Sequence, residues 1–222
     1  MTSTELNHIE ELISQAEDKI NTNLKEAESI CMHALAHCNK NTATPEILYK
    51  AGLILSQCGK INQAEKIWQD AIQVANTKND DLYKAFILHN IGTIKADLGN
   101  VVEATYLWEE SLSIKEKLND KKGIAATLNN LAWVSKLELD NKEETRLLLK
   151  AIDIFVEFEM WTDIADNLIK LSISDEKNSL YYLTQAFYIS TKYYVNPKDV
   201  LYVVTEIIRL IGISNQYAAI FA

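Results

Sequence analysis

Apolar side chains recur at every third or fourth position through most of this 222-residue chain, in long blocks parted by short polar breaks. That spacing gathers them on one stripe of an α-helix rather than on one face of a strand. The blocks predict helices over residues 4–20, 23–39, 46–58, 61–76, 80–98, 101–119, 122–139, 141–158, 162–174, 177–193 and 198–212, then a short apolar tail over 213–222. End signals agree with them. Thr44-Pro45 and Asn196-Pro197 read as an N-cap followed by proline at the first helical position. Gly59 and Gly99 fall just past predicted helices, where a C-terminal cap wants a positive φ. Asp80-Asp81 sits at a predicted helix start, where acids suit the helix dipole. Only 6 Gly and 2 Pro occur, too few for the hairpin turns of an all-β fold.

A repeat underlies the pattern. Leu48-Tyr-Lys-Ala-Gly52, Leu88-His-Asn-Ile-Gly92 and Leu128-Asn-Asn-Leu-Ala132 place a small residue at 52, 92 and 132, a step of 40. Ala64 and Ala104 follow in the same step, as do Trp68 and Trp108, and then Ala71, Ser111 and Ala151. Small residues at facing sites let two helix axes approach closely, and the large tryptophans are expected to fill the gap against the next pair. Ala27, Cys31 and Ala34 continue the second-helix pattern upstream, while Asp166-Asn-Leu-Ile-Lys170 echoes Asn129-Asn-Leu-Ala-Trp133 downstream at a shortened spacing. Glu144 departs from the pattern, standing where Ala64 and Ala104 stood unless a one-residue slip puts Thr145 there.

The small residue, the Ala-x3-aromatic element and the second small residue together resemble the tetratricopeptide repeat. They are similar in particular to its variant of about 40 residues, found in kinesin light chains, related spindle-orientation adaptors and bacterial peptide-sensing regulators. The resemblance covers residues 45–158 most clearly. It implies an all-α fold: a right-handed α-solenoid of antiparallel helix pairs with about eleven helices. The expected layout is a single domain over 1–222, with an N-terminal pair at 4–39, three clear repeats at 45–158, a degenerate repeat at 161–193 and capping helices at 197–222. Tyr217, Ile220 and Phe221 in the tail are expected to cap the last groove.

In such a stack the first helix of each pair lines the concave side. The residue two before the small one then points into the groove: Asn90, Asn130 and, by the downstream echo, Asn167, with Lys50 breaking the row. A carboxamide offers a donor and an acceptor together, so it can pair with both backbone groups of an extended ligand whatever its side chains are. The resemblance implies that role, since asparagines of this kind clasp peptides in the families named. Flanking positions expected to set preference are Tyr49, Leu53, Phe86, His89, Thr93, Asn129, Trp133, Lys136, Asp166 and Lys170. With aromatic surface beside Lys50, Lys136 and Lys170, the expected ligand is partly apolar and carries acidic groups. The function expected is therefore a protein-interaction adaptor that binds an extended peptide segment; the rival is a structural or self-assembling module with homo-oligomeric contacts through the C-terminal helices.

Composition narrows the alternatives. A net charge of −9 disfavours nucleic acid, which recruits clustered Lys and Arg. No stretch reaches the roughly 20 apolar residues that span a bilayer, and the first residues carry acids where a secretory signal carries bases. A cytoplasmic address is expected, without membrane contact. Cys31 and Cys38 lie about 10 Å apart along a helix, too far for a disulfide, and read with Cys58 as small buried hydrophobes. His33 and His37 fall on a different face from the two cysteines, so no metal or cofactor is expected. No nucleophile elbow, phosphate loop or dinucleotide fingerprint occurs, and no enzyme is expected. Six tyrosines crowd the C-terminal part (Tyr181, Tyr182, Tyr188, Tyr193, Tyr194 and Tyr202), and not all of them can face inward.

Overall fold

The computed structural model describes the backbone of residues 3–39, 42–193 and 197–220. Among them are eleven α-helices and no strand: α1 (Ser3–Lys19), α2 (Leu24–His37), α3 (Pro45–Gln57), α4 (Ile61–Lys78), α5 (Asp81–Asp97), α6 (Val101–Leu118), α7 (Lys121–Leu137), α8 (Asn141–Glu157), α9 (Trp161–Ser174), α10 (Ser179–Lys192) and α11 (Pro197–Ile220). A single 3-10 turn, Glu176–Asn178, precedes α10. The chain falls into two compact units, Met1–Leu118 and Asn119–Ala222.

In the first unit α1–α2, α3–α4 and α5–α6 form consecutive helix pairs, and α3 also packs on α1, α2 and α5. The second unit pairs α7 with α8 and α9 with α10, and α11 packs on α10. Side chains cap the starts of α2, α3, α5, α7 and α8. The Thr44 hydroxyl accepts from the Ile47 amide at 3.1 Å, with Pro45 as the first helical residue. Asp80, Asp120 and Asp140 accept in the same way from Tyr83, Gly123 and Glu143, at 3.2, 3.1 and 3.0 Å. Each such bond satisfies an amide that the helix itself leaves open.

The step of 40 is written into the turns as well. Gly59, Gly99 and Leu139 close the first helix of successive pairs with φ of 75°, 82° and 60°. Asn79, Asn119 and Glu159 close the second helix with φ of 53° to 54°. Glycine and asparagine enter this left-handed region readily, whereas Leu139 and Glu159 carry a strain of roughly 1 kcal/mol each. The repeat thus survives where its turn residues have drifted.

The contact that sets the α3–α4 and α5–α6 pairs is an indole lying on a glycine. Trp68 is almost fully buried, and a Cβ added to Gly52 would fall 2.1 Å from its Nε1. Trp108 lies on Gly92 in the same way, at 2.8 Å from such a Cβ. Each indole N–H donates to a carbonyl three residues before its glycine: Trp68 to Tyr49 at 3.0 Å, and Trp108 to His89 at 3.1 Å. The tryptophans therefore fill the gap within their own pair, which corrects the expectation that they reach for the next one. The third pair replaces both partners together, with Ala132 and Leu148 buried where glycine and tryptophan stood.

Two more expectations change. Glu144 occupies the alanine position with no slip: its amide donates to the Asp140 carbonyl at 3.0 Å, and its side chain is 2% exposed with one carboxylate oxygen lacking a hydrogen-bond partner. The helix keeps its place despite that burial cost. The apolar tail is no separate tail, since α11 continues through it to Ile220. The capping roles expected of Tyr217, Ile220 and Phe221, and the N-cap expected of Asn196, lie outside the described residues.

An alanine ordinarily improves a helix over glycine, by about 1 kcal/mol. Gly52→Ala is expected to reverse that sign and lower stability by about 1–3 kcal/mol through overpacking, measured by urea unfolding. Adding Trp68→Leu, which copies the Ala132 and Leu148 arrangement, is expected to recover part of the loss; a double mutant no better than the sum of its parts would show that the two sites do not share one contact.

Candidate functional site

In the first unit the face built by α3 and α5 carries seven of the residues expected in the groove. Tyr49, Lys50 and Leu53 come from α3, and Phe86, His89, Asn90 and Thr93 from α5; all are half-buried except Thr93, which is exposed. Tyr49 meets Phe86 and Tyr83 with ring centroids 5.8 and 5.7 Å apart, and Tyr83 meets Phe86 edge-on at 5.9 Å. These are the separations of favourable aromatic pairs. Asn90 stands beside this cluster. Its Nδ2 donates to the Phe86 carbonyl one turn back at 2.8 Å and makes a long contact of 3.5 Å with the Tyr49 hydroxyl. No described residue donates to its Oδ1. The amide is thus held in one orientation by its nitrogen, with its acceptor side open.

The charges on this face are settled locally. Lys50 is bound to Glu46 at 2.9 Å, so its charge is already met within its own helix. The Glu46 hydrogen bond is the main cause holding the Lys50 ammonium above its ordinary pKa; the charges of Glu46, Glu17 and Glu10 add to it, against partial burial. Burial first, then the Glu46 carboxylate, pushes the Tyr83 hydroxyl up to about 12. His89 is pushed down to about 3, by burial and then by the ammonium of Lys115, and so serves as a neutral donor and acceptor. Glu46 and Tyr83 were missed in the sequence. The signal lay in the spacing, since Tyr83, Phe86 and Asn90 share one face of α5 and Glu46 and Lys50 are one turn apart on α3.

The second unit corrects the asparagine row. Asn167 is fully buried, at 0% exposure. Its Nδ2 donates to Asn129 Oδ1 at 2.7 Å, and its own oxygen takes a 3.4 Å contact from the Lys170 ammonium. It is an interior bridge between α7 and α9, with nothing left for a guest. The reason is register. Ala85, Ala125 and Ala165 are all fully buried, and Gly92, Ala132 and Ser172 follow in step, so the period of 40 persists into α9. The residue equivalent to Lys50, Asn90 and Asn130 is therefore Lys170, which is exposed. Each unit presents one lysine and one asparagine at this position. Around them Asn130 is half-buried, Trp133 is 39% exposed, and Lys136 and Asp166 are exposed.

Elsewhere, Tyr181, Tyr188 and Tyr202 are exposed and Tyr182 is buried. Tyr193 stacks on Trp161 at 3.9 Å; Tyr194 lies outside the described residues. Among the described residues no three His, Cys, Asp or Glu side chains converge as metal ligands would, and no helix is long and apolar enough to cross a membrane.

Against models of known families the sequence matches none, and it matches no curated protein. Its fold, in contrast, is shared with solved structures. BtubC (BKLC) from P. vanneervenii is 15% identical, with a TM-score of 0.69 over 89% of this chain and 96% of that one. A putative kinesin light chain of Podosopora anserina, with nearly identical TPR-like repeats, is 14% identical, with a TM-score of 0.69 over 86% of this chain and 98% of its own. The signal-transduction ATPase PH0952 of Pyrococcus horikoshii, which carries a tetratricopeptide repeat sensor, is 13% identical with a TM-score of 0.72; it is matched by 98% of this chain over 38% of its own length. This chain is a tetratricopeptide-like helical-repeat protein, an all-α solenoid by fold class.

Asn167→Ala is expected to cost about 1–3 kcal/mol, the range for leaving a buried hydrogen-bonding partner unpaired. Thermal and urea unfolding test this; a variant as stable as the parent would show that the α7–α9 amide bridge contributes nothing.

Proposed function

We propose that this chain is a protein-interaction module, and that the first-helix face of its first unit receives an extended segment of a partner polypeptide, with Asn90 as a contact to the segment's backbone and Asn130 as the equivalent contact on the face of the second unit. The observation that carries the reading is the Asn90 carboxamide: fixed through its nitrogen, half-buried beside an aromatic cluster, with its oxygen open to a donor. A preset acceptor of this kind binds a backbone N–H without first losing its own side-chain freedom. Asn130 occupies the equivalent position one step of 40 later. Tyr49, Leu53, Phe86 and Thr93 in one unit, and Asn129, Trp133, Lys136, Asp166 and Lys170 in the other, supply the side-chain surface that gives preference. His89 adds a neutral imidazole, and Asn167 is left out because it is an internal support.

The fold supports the reading because stacked helix pairs expose long faces that a flexible chain can follow. Backbone contacts made by carboxamides give affinity without sequence demand, and the flanking side chains give choice.

Asn90→Ala combined with Asn130→Ala is expected to weaken capture of bound peptides or partner proteins about tenfold or more, as loss of two buried hydrogen bonds would, while helicity and melting temperature stay near those of the parent. Binding unchanged in a folded double mutant would contradict the proposal, and unfolding would assign both asparagines to structure.

A further inference from the structure

The two carboxamides leave the ligand's side chains unspecified, but the surroundings of Asn90 do not. We infer that the face of α3 and α5 takes a segment carrying an arginine or lysine side chain, set against the Glu46 carboxylate and the rings of Tyr49, Tyr83 and Phe86; this rests on the peptide-binding reading above.

Three observations point the same way. First, the three rings form one cluster, with neighbouring centroids 5.7–5.9 Å apart, and every ring is only half-buried. The negative face of an aromatic ring attracts a cation and does nothing for a carboxylate. Second, the carboxylate beside the cluster is Glu46 on α3, with Glu17 and Glu10 of α1 acting on Lys50 as well, while Lys84 of α5 is taken up by Glu110 at 3.1 Å and Lys115 is buried. Third, a cation already stands there. Lys50 reaches back one turn to Glu46 at 2.9 Å, with the two side chains 37% and 48% exposed. Such an exposed pair on one helix is weak and exchanges readily with solvent. A guanidinium from an incoming segment, held by Asn90 and stacked on the rings, competes for the same carboxylate with two bonds instead of one.

This differs, for the first unit, from the partly apolar ligand with acidic groups that Lys50, Lys136 and Lys170 suggested in the sequence. A carboxylate placed here meets Glu46, with Glu17 and Glu10 beyond it, while the lysines at hand are already paired (Lys50 with Glu46, Lys84 with Glu110) or buried (Lys115), and the chain's net charge of −9 opposes its approach as well.

The full chain probed against an array of short random-sequence peptides provides the test, with the strongest binders re-measured by fluorescence anisotropy. Binders are expected to share an Arg or Lys. Glu46→Gln is expected to weaken them about tenfold, the scale of one charge-assisted pair, and Lys50→Ala to tighten them roughly threefold by freeing Glu46. Both positions are partly exposed, so neither variant threatens the fold. Opposite signs for these two variants would not arise if Glu46 served only to cap or brace α3. Binders that are rich in acids or show no charge preference would overturn the inference while leaving the peptide reading in place, since Asn90→Ala would still weaken them all. An array with no binders would overturn both.

Discussion

The close approach of an indole to a glycine is the constraint on which the α3–α4 and α5–α6 pairs of the first unit depend. Trp68 over Gly52 and Trp108 over Gly92 leave no room for even one methyl group, and both tryptophans anchor their nitrogen on a backbone carbonyl of the facing helix. The contact fixes how near the two helices of a pair lie and how they are rotated about their axes. The rotation matters for function: the carbonyls that receive the indoles belong to Tyr49 and His89, and the next residue along each helix is Lys50 or Asn90. Packing on one side of α3 and α5 therefore sets what is offered on the other. Where Ala132 and Leu148 take over, the partners have changed together, as a shared contact requires.

Much of this was legible in the sequence because it is periodic. Helix number, the glycine and aspartate boundary signals and the fold class follow from apolar spacing and from the recurrence at 52, 92 and 132. What was not legible came from positions where letters match but register does not. Asp166-Asn167-Leu168 resembles Asn129-Asn130-Leu131, yet it lies three residues too early in the period. Three residues are most of a helical turn, enough to move a side chain from the open face into the interior. The turn residues would have pinned the register, but Leu139 has replaced the glycine and Glu159 the asparagine while keeping their left-handed backbone. The step from Ala125 to Ala165 and from Ala132 to Ser172 was the surviving clue.

Charge was misread for a related reason. A lysine in a sequence looks like a free cation, but whether it is depends on the neighbours that folding brings to it. Glu46 lies one turn before Lys50, while Glu10 and Glu17 come from another helix altogether. On the proposal made above, the same face then takes bases where the sequence had suggested acids. Asn167 gives the converse lesson: an amide read as a hand for a ligand turns out to hold Asn129 instead.

The central claim is that the Asn90 carboxamide meets the backbone of a guest, whereas Asn167 stays within the protein. Side-chain amide signals of asparagine-labelled protein, followed by NMR through a titration with a bound peptide, test it most directly. The account predicts that the Asn90 amide signals shift to saturation with the binding curve while those of Asn167 hold still. Saturable binding with Asn90 unmoved, or with Asn167 shifting in its place, would contradict it.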